Sequence, residues 1–501
     1  MSQDKPAFSD QSPHENGGGG SVPGSATSYD RGKRSVVSLT GGDRDNLNDS
    51  GAKATPESDQ PPPYNSIRHK VSAYSIEYDP YLRRTVEQPI SYLAALVHMF
   101  KGSLGTGIMA VPNAFMHSGY IMGVIGTLFV GVMCTYSMHM LVRARYELSK
   151  RRREPSLTYQ ETAVAALEDG PRCLRPMASY AGHIVNVFML VFQLGSCCVY
   201  VVFISSNIKA VVDEYYSGLD LRIYMLILLL PLILINMVRN LKLLAPFTTL
   251  ASLLTIAGFG ITFYYLVIDS PTLDDKVPFG TLEEFPLFLG TVLFSLEAIG
   301  VILPLEDSMK TPKRFREPLG VLNIAMVLVV SLFTVTGFLG YMKYGDETKG
   351  SITLSLPNKE KLAQSAKLML AIAIFVSHSL QNYVNIEIVW NGYLMEKLEK
   401  HPYKMLFEYL VRIFLVTISF VLAVAVPNLE LFISLFGALC LSAIGIAFPA
   451  IIYCLCVWNN ETTRFKFVLL ILRTGFIVLF AVVGFAVGTY TSLSNIVIEF
   501  S

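Results

Sequence analysis

The chain has little charge. Of its 501 residues only 16% are Asp, Glu, Lys or Arg, where a soluble globular protein carries roughly 25%. Hydrophobic residues make up 52%, and the mean hydropathy is +0.45. A chain this apolar cannot keep its whole surface wet, so lipid must be the solvent for most of it. Forty basic and 39 acidic residues leave a net charge of +1, which removes the electrostatic case for nucleic acid. Cysteine is scarce: seven residues, most of them inside apolar runs, with no repeated CxxC at zinc spacing. Also missing are a P-loop and an HExxH signature, a K⁺-filter sequence, an arginine ladder within a span and a supported Ser/His pair. ATP-driven pumps, potassium and voltage-gated channels and intramembrane enzymes are disfavoured, and neither a metal nor a cofactor is expected.

Residues 1–88 are a different material, rich in Gly, Ser, Pro, Asp and Asn and without an apolar stretch of even seven residues. Such a segment cannot bury enough surface to offset its ordering entropy, so it reads as a disordered cytosolic tail. It holds no signal-peptide h-region, and the first apolar run is expected to direct insertion. Pro61-Pro62-Pro63-Tyr64 matches PPxY, a polyproline-II ligand for WW domains. Tyr64 to Ile67 overlaps it as a Tyr-x-x-apolar sorting pattern. The competing reading is a solvated Pro-rich linker.

From residue 90 onward, apolar runs of about 20 residues recur, the length that crosses ~30 Å of hydrocarbon as helix. Eleven are counted, near 91–115, 119–142, 183–206, 222–239, 243–267, 286–304, 319–341, 364–394, 406–426, 430–457 and 466–490. They form one domain over 89–495, followed by a short outer C-terminus at 496–501. Eleven spans exclude a seven-helix receptor and leave mainly a secondary transporter. Short-loop cations set the orientation. Arg143, Arg145, Lys150 to Arg153, Arg239, Lys310, Lys313, Arg314 and Arg316 fall on one side. The opposite loop near 269–285 holds Asp269, Asp274, Asp275, Glu283 and Glu284 against Lys276 alone. The loop near 342–363, on the same side, does carry Lys343, Lys349, Lys359 and Lys361, balanced partly by Asp346, Glu347 and Glu360; the bias still favours an N-terminus in the cytosol and a C-terminus outside.

Two spans carry interruptions. The first reads Gly102-Ser103-Leu104-Gly105-Thr106-Gly107, with Pro112 beyond. Three glycines in six residues weaken a helix, and they do not share one narrow face as a small-residue packing stripe would. The sixth reads Phe294-Ser295-Leu296-Glu297-Ala298, an acid in the middle of an apolar run, with Pro304 beyond. Unwound backbone in lipid is tolerated where it lines a cavity. Breaks five spans apart fit two inverted five-helix repeats, each opening on a discontinuous helix. Free N–H groups at Gly102, Ser103, Gly105, Thr106 and Gly107 suit a carboxylate, and carbonyls near Phe294 and Ser295 suit an ammonium. A zwitterionic amino acid needs both.

The stretch His98-Met99-Phe100-Lys101-Gly102-Ser103-Leu104-Gly105-Thr106-Gly107 resembles the first-helix signature of the proton-coupled amino acid transporters, in the amino acid/auxin permease branch of the amino acid–polyamine–organocation superfamily. Phe285 to Phe288, Phe294 to Glu297, Leu303 to Glu306 and Gln193 to Gly195 are similar to the family as well, and the likeness covers roughly 90–495. The resemblance implies an all-α integral membrane protein of LeuT-like fold. Eleven helices would form a 5+5 inverted repeat with broken helices 1 and 6, plus one extra helix. It also implies uptake of small neutral amino acids such as alanine, glycine and proline with protons, at the cell surface or out of lysosomes. Family members are linked to growth-signalling proteins of the TOR pathway. Two departures stand out: the outer loops hold no cysteine, and Ala298 stands where relatives often have Gly.

Intramembrane ionisable groups are the candidates for proton coupling. His98 matches a first-helix histidine that the family uses in coupling, and imidazole titrates near pH 6.5. Against this stands a neutral, hydrogen-bonded core histidine. Lys101 needs a partner, and Glu297 either supplies it and shares in coupling or braces the break. His378 and Glu387 lie in span eight, whereas His117, His139 and His183 lie near span ends and read as interfacial. Ser377 and Ser379 leave a sodium-coupled carrier open. A uniporter, or an amino acid sensor that transports little, would fit the same residues.

Overall fold

The computed structural model describes residues 78–500 apart from 87, 217, 240, 269–275, 297 and 460–463. Pro61 to Tyr64, most of the N-terminal tail and Glu297 lie outside the described residues. Backbone contacts divide the chain into two units between Ser75 and Ile76, and the helices belong to the second.

The described residues fold as helices without a strand, in the order the apolar runs predict. The first pass is split into α1 (Tyr92–Ser103) and α2 (Thr106–Ser118), bent by 54°. Then come α3 (Tyr120–Arg152), a shorter α4 (Tyr159–Asp169), α5 (Ala178–Val212), α6 (Leu221–Asn236) and α7 (Leu241–Val267). The sixth pass is split into α8 (Phe285–Ser295) and α9 (Ile299–Ser308). α10 (Val321–Tyr344), α11 (Lys361–Ile386), α12 (Lys404–Ala425), α13 (Leu429–Phe436), α14 (Phe448–Val457) and α15 (Arg464–Phe500) complete the bundle. π-helical stretches continue α11 through Glu387–Leu394 and join α13 to α14 through Gly437–Ala447.

Among the described residues nine helices are long and apolar enough to cross a membrane, and the bent pair makes a tenth. The remaining predicted span, α6, is an apolar helix of 16 residues, which rises roughly 24 Å. Hydropathy sets the ends of some spans too short. α3 continues past its apolar run because Arg143 to Arg152 are good helix formers, and it stops where Arg153 turns left-handed at φ 56°. α15 continues to Phe500, since nothing after Gly488 breaks it.

Local chemistry fixes the helix starts. The Ser91 hydroxyl accepts from the Ala94 N–H at the head of α1, and the Asn428 side chain accepts from Glu430 and Leu431 at the head of α13. Thr158 and Glu161 form a reciprocal capping box on α4. In the packed bundle α2 lies against α8 and α10, α8 against α13, and α5 against α11 and α12. The halves α2 and α8 of the split helices therefore run through the interior. All seven cysteines are free, with Cys173 exposed and the other six buried, so there is no outer disulfide.

Candidate functional site

The first break occupies residues 104–105. The Leu104 N–H bonds to the Lys101 carbonyl at 3.2 Å and the Gly105 N–H to Ser103 at 3.1 Å, after which the chain turns into α2. α2 has no side-chain cap. Its first N–H groups, from Thr106 onward, have no carbonyl one turn earlier to bond. They are the donors that an anionic group would meet.

The second break lies directly against it. α8 ends at Ser295, Leu296 closes it with an N–H bond to Val292 at 3.0 Å, and α9 begins after Ala298. A Cβ added to Gly107 would stand 2.6 Å from Ser295 Cα, so only glycine lets the two backbones approach this closely. Ser295 Oγ lies 2.9 Å from the Gly107 carbonyl and 2.7 Å from that of Thr291, tying the two broken helices together. Gly105 has the opposite surroundings. A Cβ there would find nothing nearer than the Tyr200 hydroxyl at 3.9 Å, so its side of the break has room for a methyl in ordinary contact. Ala298 sits at φ −140° and ψ 1°, a backbone that does not require the glycine of the relatives.

The structure brings Gly105, Thr106, Gly107, Phe294 and Ser295 into this junction. Phe294 is buried, with its ring 5.8 Å from that of Phe192 on α5. Ser103 is buried, but its hydroxyl donates to the Met99 carbonyl at 3.1 Å, back along α1. Gly102 borders Val301 of α9. His98 and Lys101 share the exposed face of α1 with Leu93 and Val97, and neither has a polar partner among the described residues.

His378 is fully buried, with Nδ1 3.2 Å from Asn236 Nδ2 on α6, within a chain that continues through Asn382 and Asn385 to Cys197. Ser377 and Ser379 donate to carbonyls of α11 itself at 2.9 and 2.8 Å. Among the described residues no group of three or more His, Cys, Asp or Glu could hold a metal.

Three features escape the sequence reading. Tyr200 reaches the break from α5. Gln193, seven residues earlier, is on the same helical face, and that spacing is the signal that could have found it. The segment before α1 forms a strap across one end of the bundle. Ile90 pairs in parallel with Met309, through bonds of 2.8 Å to Ser308 and 2.9 Å from Lys310. Beneath it, buried Arg145 bonds Glu306 at 3.1 Å and Ser156 at 2.6 Å, and also Asp307. Tyr81 donates to Glu306 at 2.5 Å and Arg84 to the Asp307 carbonyl at 2.6 Å. At the other end, in the last turn of α2, stands His117. It is 6% exposed and held between Glu430 and Glu284. His139 bonds Asn323 at 2.7 Å, and exposed His183 meets Tyr393 at 3.0 Å.

Comparison with known proteins agrees with this architecture. The pattern of the family described as Transmembrane amino acid transporter protein matches residues 88–494. The chain is 36% identical over 471 residues to the proton-coupled amino acid transporter-like protein pathetic of Drosophila melanogaster, covering 91% of this chain and 98% of that protein. It is 26% identical over 423 residues to the "Probable amino acid transporter skat-1" of Caenorhabditis elegans, covering 81% and 90%. Among solved structures, the inward-facing conformation of Mhp1, a LeuT-fold transporter, matches with a TM-score of 0.52 at 11% identity, over 83% of this chain and 91% of that one. That likeness establishes the fold, while the family pattern and the first relative establish kinship: this multi-pass membrane protein belongs to the transmembrane amino acid transporter family.

Proposed function

We propose that the chain carries small neutral amino acids, alanine and glycine first and proline after them, across a cell-surface or lysosomal membrane together with protons. The junction of Gly107 with Ser295, beside the roomier flank of Gly105, carries this reading. It sets uncapped N–H groups of α2 next to the C-terminal end of α8, a donor end beside an acceptor end. An α-amino acid carries a carboxylate for the donor end and an ammonium for the acceptor end.

The name of the Drosophila relative supports protons as the coupling ion. The self-bonded hydroxyls of Ser377 and Ser379 weigh against a sodium cage there. His98 is the proposed proton carrier, with Glu297 at the second break. A proton moving with a zwitterion moves net charge, so transport is electrogenic. The cation-rich loops support a cytosolic N-terminus. From there Pro61 to Tyr64 would reach a WW-domain protein, and the tail would reach growth-signalling partners.

The test is uptake of labelled alanine and glycine into proteoliposomes without sodium, under an inward proton gradient that an ionophore then collapses. Uptake that falls with the gradient is expected. Saturable uptake indifferent to the gradient would mean uniport or exchange, and binding without uptake would make the protein a sensor.

A further inference from the structure

Three helices meet at the end of the bundle away from the strap: the last turn of α2, the start of α8 and the start of α13. Between them lies His117. Its Nε2 is 2.5 Å from Glu430 Oε1 and its Nδ1 is 3.4 Å from Glu284 Oε2. An ionised carboxylate only accepts hydrogen bonds, and a neutral imidazole has a single N–H. Both contacts are made together only when the ring carries two protons. With one proton, one carboxylate faces a ring lone pair and is repelled.

Among the described residues, the surroundings supply no competing cation. From α13 comes Glu430, whose second oxygen accepts from Asn113 at 3.1 Å. From α8 comes Glu284, with exposed Glu283 beside it. The segment ahead of α8 contributes backbone, Gly280 N–H bonding the Ser118 carbonyl at 2.7 Å, while its Lys276 ammonium lies against Gly345. The loop after α10 contributes the Thr348 carbonyl and the backbone of Gly350 against Glu430, with Lys349 exposed. α3 brings the Tyr120 N–H, spent on Val277 at 3.2 Å, and α15 brings Glu499, bonded to the α13 cap Asn428 at 3.2 Å. Among the described residues, the ion pairs of His117 are with Glu284 and Glu430 alone.

We propose that His117, Glu430 and Glu284 form a proton-binding clamp that closes the outer mouth of the transporter. The proton comes from the outer solution and is held on the imidazole. While it is bound, α2 and α8 are fastened to α13. When it leaves, Glu430 keeps the remaining N–H, Glu284 is released, and the first turn of α8 with the segment ahead of it is no longer held to α2 and α13. The clamp sits on another helix than His98 and sets the balance of conformations, so an acidic outer compartment favours the outward-closed form. The assignment of this mouth to the outside rests on the cytosolic N-terminus proposed above.

The test uses the full chain in lipid nanodiscs, with exposed Cys173 changed to Ser and spin labels at Leu282→Cys and Ile498→Cys. These positions are 88% and 67% exposed and lie next to α8 and on α15, which packs against α13. Pulsed electron–electron distances are recorded without substrate at about pH 5 and about pH 8, either side of the imidazole range. In the wild type the long-distance population should grow with pH. The open-to-closed ratio should rise about tenfold, the effect of losing one charge-assisted hydrogen bond. His117→Asn should show one ratio at both pH values. Glu284→Gln, at a half-exposed carboxylate, should also lose the response and keeps the test open should His117→Asn fail to fold. A wild type without the shift, or either variant retaining it in full, would overturn the clamp. Alanine uptake is measured in parallel. A distance shift without uptake would leave the clamp standing and sink the transport reading, and uptake without the shift would do the reverse.

Discussion

Replacing Gly107 with Ala tests the helix junction with one methyl group. The added Cβ would stand 2.6 Å from Ser295 Cα and 3.1 Å from its Cβ, where carbon atoms rest comfortably at about 3.5–4.0 Å. The obstacle is backbone, so no side chain can swing aside. α2 and α8 must part by about 1 Å. Overpacking of this kind costs about 1–3 kcal/mol, and stretching the Ser295 bond to the Gly107 carbonyl adds about 0.5–1.5 kcal/mol. The bundle should survive that loss. Transport should not, because a shift of about 1 Å in reacting or binding groups costs on the order of a hundredfold in rate, and the donor and acceptor ends of the junction move apart together. Gly105→Ala is the matched control: its methyl meets only the Tyr200 hydroxyl at 3.9 Å, at a backbone φ of −121° that alanine adopts. The assay is initial-rate alanine uptake into proteoliposomes, with the melting temperature of the purified protein read alongside. The expected pattern is a roughly hundredfold loss for Gly107→Ala with a modest fall in melting temperature, and near-normal stability for Gly105→Ala. Gly107→Ala with uptake within about twofold of wild type would refute the reasoning.

Gly105→Trp, filling the roomier flank, should abolish uptake while leaving delivery to the membrane intact, as surface labelling would show. His98→Ala should flatten the pH dependence of uptake and its current, and an unchanged pH profile would remove His98 from the mechanism. Arg145→Ala should lower thermal stability by about 3–5 kcal/mol, because Glu306, 2% exposed, would keep only Tyr81 as a side-chain partner. An unaltered melting curve would contradict this. At Asp79, burial alone would raise the carboxyl pKa, but Lys313, the Tyr81 N–H and the Tyr146 hydroxyl together hold it below its ordinary value. The strap contact is therefore fully present above about pH 3.9 and is lost as pH falls further, through the lowered folded-state value. A fluorophore at exposed Leu82 should keep its anisotropy from pH 7 down to about 5, and a release centred above pH 5 would count against the contact.

The passage from sequence to fold worked where lipid imposes a simple rule. Every predicted apolar run became a helix, because a backbone in hydrocarbon has no other way to satisfy its own polar groups. The break after Ser103 was legible because three glycines crowd it. α4 was missed although Thr158 and Glu161 stand at capping-box spacing. It lies between two spans, where hydropathy carries no signal. The burial of His117 was not legible, since its partners Glu284 and Glu430 lie 167 and 313 residues away and only the folded bundle brings them together. Nor was the strap, whose Ile90 looks like the end of the tail until Met309 pairs with it.

The π-helical stretch in the tenth pass acts as a measuring device. On one side of it Phe436 fills the hollow at Gly195 of α5, and on the other Phe448 meets Phe188 of the same helix at 5.4 Å. Seven residues separate the two docking points on α5, a rise of roughly 10 Å. Twelve residues separate the two phenylalanines, and as α-helix they would rise roughly 18 Å. The wider coil of Gly437–Ala447 gains less height per residue and so takes up part of the surplus; the reach of the two phenylalanine side chains covers the rest. Removing one residue from that stretch would turn everything beyond it by roughly a quarter turn and carry Phe448 off its partner. Within this pass the chain has a fixed length, and the sequence there is held to a count as much as to a composition.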